Sequence, residues 1–239
     1  MPLVVRTWNL YHGRTSPPGG RTYLERMIDV ITADRPDVVA LQEVPVWALG
    51  RLEKQSGMAA RWAVTVPALL VAPLAKLVTA ISPTRLRSLV TGQANVLLVA
   101  KDLQLHRQHV LVLNPSVGRW DWLRRGAQRR VCQAVEIEVA DGRRITFANL
   151  HATNNPLQAP EEVARAAEFV ADAPLCVLCG DFNARDVSVE GFSPPIPGID
   201  QILVRGLELE RPPEVWPKER RREGSRLLSD HAPVEAVIA

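Results

Sequence analysis

Four apolar runs of strand length in this chain each end in side chains able to hold a metal or a phosphate. The sharpest is Cys176-Val177-Leu178-Cys179-Gly180-Asp181-Phe182-Asn183, where a glycine is followed by an acid and then an amide. Thr7-Trp8-Asn9, Leu41-Gln42-Glu43 and Asn149-Leu150-His151 repeat the pattern, and Ser229-Asp230-His231-Ala232-Pro233 sits just before the final apolar run. A buried strand that ends this way presents its polar groups on a rigid base rather than on a free loop. One such tip reads equally well as an Asp-containing turn. Five polar clusters at strand ends are hard to read as five unrelated turns, so the chain is expected to bring several strand ends to one place.

With 239 residues and nothing resembling a linker, the chain is expected to build one large core in a single domain, 1–239. Hydrophobic residues at 46% and charged residues at 23% give the profile of a soluble globular protein. The formal charge of +3 is too small to name a polyanionic partner. Its distribution says more. No Asp or Glu lies between Lys54 and Lys101, a span that holds Arg61, Lys76, Arg85 and Arg87. Arg-rich runs also cover Trp120 to Arg130 and Lys218 to Arg226. Each is either solvated surface or a phosphate-binding face. Three cysteines, an odd number, do not make a disulfide framework. Cys176 and Cys179, three residues apart on a strand, point to opposite faces and are expected to be reduced core residues. With a strand almost at the first residue and no charged-then-apolar leader, the expectation is an intracellular, cytoplasmic enzyme.

Leu3 to Trp8 reads as a buried strand and Gly13 to Gly20 as a loop. Leu24, Met27, Ile28 and Ile31 share a helical face, and Pro36 ends that helix. Asp37 to Gln42 is the next strand, and Val46 to Ser56 a helix closed near Gly57. Ala94 to Val99, Gln104 to Leu113, Val131 to Val139 and Arg144 to Leu150 read as strands, with a hairpin at Asp141-Gly142. Pro160 starts a helix with Val163, Ala166, Ala167 and Val170 on one face. The Cys176 strand, Ile199 to Val204 and Val234 to Ile238 complete the chain. Trp62 to Val90 is the least typical stretch. Its charge-free part, Trp62 to Ala75, is shorter than the ~20 residues a membrane-spanning helix needs. Leu74, Leu77, Val78 and Ile81 form a helical stripe, and Ser82-Pro83 starts a further turn. The stretch is a core helix, an apolar basic wall beside the site, or a membrane-touching face. Many strands with few helices suggest an α+β sandwich of two packed sheets with helices outside.

Asn9, Glu43, Asp181 and Asp230 offer only oxygen ligands, a set that suits Mg²⁺ or Mn²⁺ rather than Zn²⁺. His151 and His231 add groups that exchange a proton near neutral pH. His106 and His109 fall inside a strand and read as structural, while His12 stays open. Acids, two histidines and a divalent cation on one rim suit phosphoryl chemistry by water attack.

Taken in order, Thr7-Trp8-Asn9, Leu41-Gln42-Glu43, Asn149-Leu150-His151, Gly180-Asp181-Phe182-Asn183, Ile199-Asp200 and Ser229-Asp230-His231 resemble the endonuclease/exonuclease/phosphatase superfamily, the deoxyribonuclease I-like fold. The resemblance implies a four-layer α/β sandwich, with two packed, mainly antiparallel sheets flanked by helices, and metal-dependent cleavage of a phosphoester. It makes Glu43 the main metal ligand, with Asn9 and Asp230 near the metal. Asp181 would orient or deprotonate the attacking water, and Asn183 would hold that water and a phosphate oxygen. His231 would contact the phosphate with its tautomer fixed by Asp200, His151 would stand near the leaving oxygen, and Arg130 matches an arginine that contacts phosphate. Two positions depart from the pattern. Tyr11 stands where some members carry an acid, and the acid-free stretch lacks the glutamate that supports the first histidine in the deoxyribonuclease-like branch.

Two substrate classes follow. The basic runs, with Trp120 and Trp122 beside Arg124 and Arg125, favour a nuclease acting on DNA or RNA, with Arg85 and Arg87 facing phosphates. The acid-free apolar stretch favours a phosphodiester on a phospholipid surface or another lipid-directed or small phosphoester. No obligate protein partner is expected. A binding protein that merely kept the fold would be expected to have lost Glu43, Asp181 or His231, and all three are present.

Overall fold

The computed structural model of the protein describes residues 2–81, 90–118, 121 and 127–239. Strands β1 (Leu3–Asn9), β2 (Thr15–Ser16), β3 (Val38–Pro45), β4 (Ala59–Val66), β5 (Gln93–Val99), β6 (Gln104–Val112) and β7 (Val131–Glu138) lie in the first part of the chain. Strands β8 (Arg144–His151), β9 (Cys176–Asp181), β10 (Asp200–Arg205), β11 (Leu209–Val215), β12 (Arg222–Glu223), β13 (Arg226–Leu228) and β14 (Val234–Ile238) follow. The helices are α1 (Leu24–Thr32), α2 (Leu52–Ser56), α3 (Ala72–Ile81) and α4 (Ala159–Phe169).

Side-chain alternation sets the layers. On β3, Val38 and Ala40 enter one buried cluster while Val39 and Leu41 enter another. The first cluster also takes Val135, Phe147, Val177 and Ile202, and so lies between a sheet ordered β11-β14-β1-β3-β5-β4 and one ordered β10-β9-β8-β7-β6. The second joins the outer face of the first sheet to Met27, Ile28 and Ile31 of α1 and Leu52 of α2. A third joins the outer face of the second sheet to Val163 and Ala166 of α4. The result is the expected four-layer sandwich: helices, sheet, sheet, helix. A small sheet ordered β12-β13-β2 stands apart from both. The cysteines follow the same alternation. Cys176 faces α4 and Cys179 faces the inter-sheet core, all three cysteines are free, and burial pushes the Cys176 thiol up to about 12.

Topology gathers the strand ends. β1 and β3 run parallel, as do β8 and β9, and their neighbours in the sheets run antiparallel. The C-terminal ends of β1, β3, β8 and β9 therefore share a rim with the N-terminal ends of β5, β7, β10 and β14.

Several elements differ from the sequence reading. Val46–Arg51 is a 3₁₀ helix rather than the first half of an α-helix, and only Leu52–Ser56 is α-helical before Gly57 closes it at φ +72°. β4 was not expected; its exposed Trp62 and Val64 alternate with buried Ala63 on an edge strand. β11 contradicts its own sequence, because Pro212-Pro213 argues against a strand. It is an edge strand with register shifts, where the missing N–H groups are tolerated. The stripe on α3 is not core: Ala75 and Thr79 are buried while Leu74 and Leu77 are exposed. The expected turn at Ser82-Pro83, and Arg85, Arg87, Trp120, Trp122, Arg124 and Arg125, lie outside the described residues. The Lys218 to Arg226 run is partly spent on the protein itself. Arg220 pairs with Asp34 at 3.0 Å and lies over Trp216, and buried Arg221 donates to the carbonyls of Leu228 and Ser229.

Candidate active site

The registers across the second sheet put three of the site residues in one row. His151 on β8 stands opposite Asp181 on β9, and Asp181 stands opposite Asp200 on β10. Gly180 makes the approach of β8 and β9 workable, since a Cβ there would collide with the Leu150 carbonyl oxygen. Across the core, Asn9 closes β1 and Glu43 lies near the end of β3. Ser229 ties the His231 loop to them: its Oγ donates to the Asn9 carbonyl at 2.7 Å and accepts from His231 N at 3.1 Å. Trp8 Nε1 donates to the His231 carbonyl at 3.0 Å.

Asp181 is the hub of the cluster. Its Oδ2 accepts from Asn9 Nδ2 at 2.9 Å and its Oδ1 from the Asn183 backbone N–H at 3.0 Å. His151 Nε2 lies 3.5 Å and His231 Nε2 3.8 Å from Oδ2. Burial and the nearby Asp200 charge push the Asp181 carboxyl up to about 7, against the opposing pull of His231, Asn9 and the Asn183 N–H. The side-chain amide of Asn183 donates to the Ala152 carbonyl at 2.9 Å.

His231 Nδ1 lies 2.9 Å from Asp200 Oδ2. Burial lowers its pKa, but the Asp200 hydrogen bond and charge, joined by Asp181 and Asp230, outweigh burial and hold it up at about 10. The imidazole is a cation at neutral pH. Asp181, Asp200 and His231 also each offer a possible ligand atom within 4.8 Å of one another. With His231 Nδ1 engaged by Asp200, only its Nε2 is free to turn toward a cation or a phosphate.

Glu43 could also hold a cation. Its Oε2 is shielded from solvent and accepts no hydrogen bond, although His12 Nε2 lies 3.2 Å away. Burial raises its pKa, opposed by Arg130 and His231, and then raised by Asp230 and lowered by Asn9. A carboxylate oxygen with no donor, beside exposed Asp230 and the Asn9 amide, fits a hard divalent ion. Asn9 Oδ1 already accepts from Tyr11 N at 3.0 Å, so its amide also positions its neighbours.

Arg130 and His151 form a pair that sequence reading did not anticipate. Arg130 Nη1 lies 3.1 Å from both ring nitrogens of His151. Burial, then Arg130, His231 and His12, hold the His151 pKa well below its ordinary value. Buried His12 at the Glu43 carboxylate was also left open by the sequence. Its signal is the backbone: of the seven non-glycine positive-φ residues among those described, Tyr11, His12, Glu43, Asn183 and Ser229 all belong to this cluster. Beside His231, a cavity of about 320 Å³ is lined by Arg185, Gly198, Ile199, Asp200, Val215 and Val234, among others.

No curated protein matches the chain. Among solved structures, an endonuclease/exonuclease/phosphatase from Beutenbergia cavernae is 18% identical with a TM-score of 0.71, covering 99% of this chain and 71% of that one. A functionally unknown conserved protein from Enterococcus faecalis is 15% identical with a TM-score of 0.73, covering 99% of each chain. A humanized D. rerio TDP2 is 14% identical with a TM-score of 0.70, covering 100% of this chain and 99% of that one. Those likenesses establish the fold. The family described as Endonuclease/Exonuclease/phosphatase matches residues 7–231, which spans every cluster above from Thr7 to His231. Its members hydrolyse phosphoester bonds and generally use a divalent metal. This chain belongs to the endonuclease/exonuclease/phosphatase family.

Proposed function

We propose that the protein is a Mg²⁺- or Mn²⁺-dependent phosphodiesterase that cleaves the backbone of a nucleic acid by water attack. The observation that carries this reading is the placement of cationic groups on both sides of Asp181. Arg130 precedes β7 on one side of the row, and Arg185 lines the cavity with Asp200 on the other. A polymer of phosphates crossing Asp181 meets positive charge in both directions.

Glu43 and Asp230 would hold the cation, with Asn9 beside them. When bound, the cation supplies Lewis-acid charge at a phosphoryl oxygen and makes water a stronger acid. Asp181, fixed by Asn9 and the Asn183 N–H, orients the attacking water and takes its proton. A raised carboxyl pKa makes it a competent base near neutral pH. Asn183 holds the water and a phosphate oxygen. The His231 cation, kept charged by Asp200, donates to a non-bridging oxygen where negative charge grows. Arg130 adds a second cation and keeps His151 neutral, so His151 shapes the pocket without delivering a proton.

The test is incubation with plasmid DNA, single-stranded oligonucleotides and RNA in Mg²⁺, in Mn²⁺ and in EDTA. Cation-dependent scission that is lost in Glu43→Gln supports the reading, and no cleavage of any of these substrates with either ion overturns it. A phosphodiester carried on a lipid is the second reading, favoured by the exposed apolar side chains between Trp62 and Leu77. Release of headgroups from phospholipid vesicles under the same ions would replace the first reading with the second.

A further inference from the structure

We propose that Arg221 is a positioning residue for His231, a buried cation that shapes the Ser229-Asp230-His231 turn and answers the two acids beside the imidazole. The turn is built against local preference. Ser229 holds a φ of +60°, in the left-handed region that a non-glycine residue seldom adopts. Its side chain fixes one side of the turn, with Oγ donating to the Asn9 carbonyl and accepting from the His231 N–H. Arg221 fixes the other side. Its Nη1 donates to the carbonyls of Leu228 at 3.1 Å and Ser229 at 3.0 Å, so the two successive carbonyls that lead into Asp230 converge on one guanidinium. A hairpin brings it there: Arg221 directly precedes β12, whose Arg222 stands opposite Leu227 of β13.

A turn alone does not need a cation. A neutral amide can donate to a carbonyl, whereas a guanidinium is costly to take out of water unless opposite charge answers it. Arg221 is only 6% exposed, and both of these acceptors are neutral. The charges that oppose the effect of its burial are Asp230 and then Asp200. The same two acids act on His231. Asp200 engages its Nδ1 at 2.9 Å, and Asp230 precedes it in the chain. Two like charges beside one imidazole repel each other and compete for it. A fixed cation behind them gives Asp230 a second attraction and leaves the imidazole seated on Asp200, with Nε2 3.8 Å from Asp181 Oδ2. One arginine of the Lys218 to Arg226 run thereby serves the site from beneath rather than as a phosphate-binding surface. The catalytic part of this inference rests on the role proposed above for His231 at the phosphate.

The test follows the His231 Nδ1–H of the whole protein as a downfield proton resonance, assigned by its loss in His231→Gln. Arg221→Gln keeps a donor for the carbonyls and removes the charge, while Arg221→Lys keeps the charge and loses the planar fork. In Arg221→Gln the resonance should shift or broaden away. Its kcat on plasmid DNA in Mn²⁺ should fall ~10–100-fold with KM little changed, since buried Arg221 reaches no substrate. Arg221→Lys should lie between that variant and wild type in both readouts. If Arg221 only braces the fold, Tm falls in the variants while the resonance and kcat keep their wild-type values, and that result overturns the inference. So does absence of the resonance from wild type. Should Arg221→Gln fail to fold, Arg221→Lys decides by the same two readouts. If wild type cleaves no nucleic acid, the nuclease reading fails by itself, and the resonance still decides the role of Arg221.

Discussion

Arg130 places one guanidinium nitrogen 3.1 Å from both ring nitrogens of His151, and this contact decides what His151 can do. A guanidinium nitrogen equidistant from both ring nitrogens lies over the ring rather than along either lone pair, so it acts on His151 through its positive charge. Burial and that positive charge hold His151 neutral. A general acid typically contributes ~10²–10⁴ in rate, whereas a neutral spacer contributes far less. We therefore expect His151→Gln to keep kcat within about tenfold of wild type, with an unchanged pH profile. A loss beyond ~10² for substrates with poor leaving groups, and little loss for good ones, would restore His151 as the proton donor.

On the proposed mechanism, Asp200 and His231 should set the alkaline side of activity. His231 acts as a cation, so its contribution is full below its pKa of about 10 and is lost as pH rises through that value. Asp200 is the strongest influence raising it. In Asp200→Asn the pKa falls, and the alkaline limb of kcat/KM should move to lower pH, with a reduced plateau. Asp181, raised to about 7, should set the opposite limb if it is the base proposed above, because a protonated carboxyl cannot take the water proton. Rate should drop as pH falls through that region. A pH–rate series on both proteins checks the two limbs, and an alkaline limb that stays in place would separate Asp200 from His231.

Glu43 and Asp181 should be separable by what they lose. Glu43→Gln removes the carboxylate whose Oε2 lacks a donor, and we expect Mn²⁺ affinity measured by calorimetry to fall at least ~10-fold together with turnover. Asp181→Asn should retain metal binding but lose ~10²–10⁴ in kcat. Both should melt as wild type does. His12→Ala, which strips the imidazole from Glu43, is expected to weaken Mn²⁺ without removing it, in line with the ~10–100-fold typical of an outer-shell partner.

How far the sequence reveals this architecture varies residue by residue. The rim was legible because Asn9, Glu43, His151 and Asp181 each interrupt an apolar run at its end, and polarity there has no packing explanation. β4 is not legible, since its exposed positions carry the large apolar Trp62 and Val64 while small Ala60, Ala63 and Thr65 are buried, the reverse of the pattern that marks a strand. The Lys218 to Arg226 run misleads for another reason. Its partners Asp34 and Glu235 are distant in sequence, and a string of arginines does not show which guanidinium is already paired. Arg130 was recognised, but its contact with His151 depends on β7 and β8 pairing side by side.

Gln42 and Asn149 carry the last prediction, and they correct the habit of reading a motif as chemistry throughout. Both adjoin site residues, yet both are fully buried beneath the rim. Gln42 Nε2 donates to Asn149 Oδ1 at 2.8 Å, and Asn149 Nδ2 donates to the carbonyls of Leu41 at 3.1 Å and Val96 at 2.9 Å. Because Asn149 sits on β8 and its partners on β3 and β5, the amides stitch one sheet to the other just below the site. Asn149→Leu takes the side-chain donor from both carbonyls and one of two acceptors from the Gln42 amide, which keeps Thr7 Oγ1 at 3.1 Å, at about 1–3 kcal/mol for each group left orphaned. Part of that loss is offset by better apolar packing, so a net destabilisation of ~2–4 kcal/mol is expected in urea unfolding. Activity below the new midpoint should also fall, because Glu43 follows Gln42 directly and His151 lies two residues beyond Asn149. A variant as stable as wild type would mean that the two sheets are held by their apolar layer alone, with the amides as passengers.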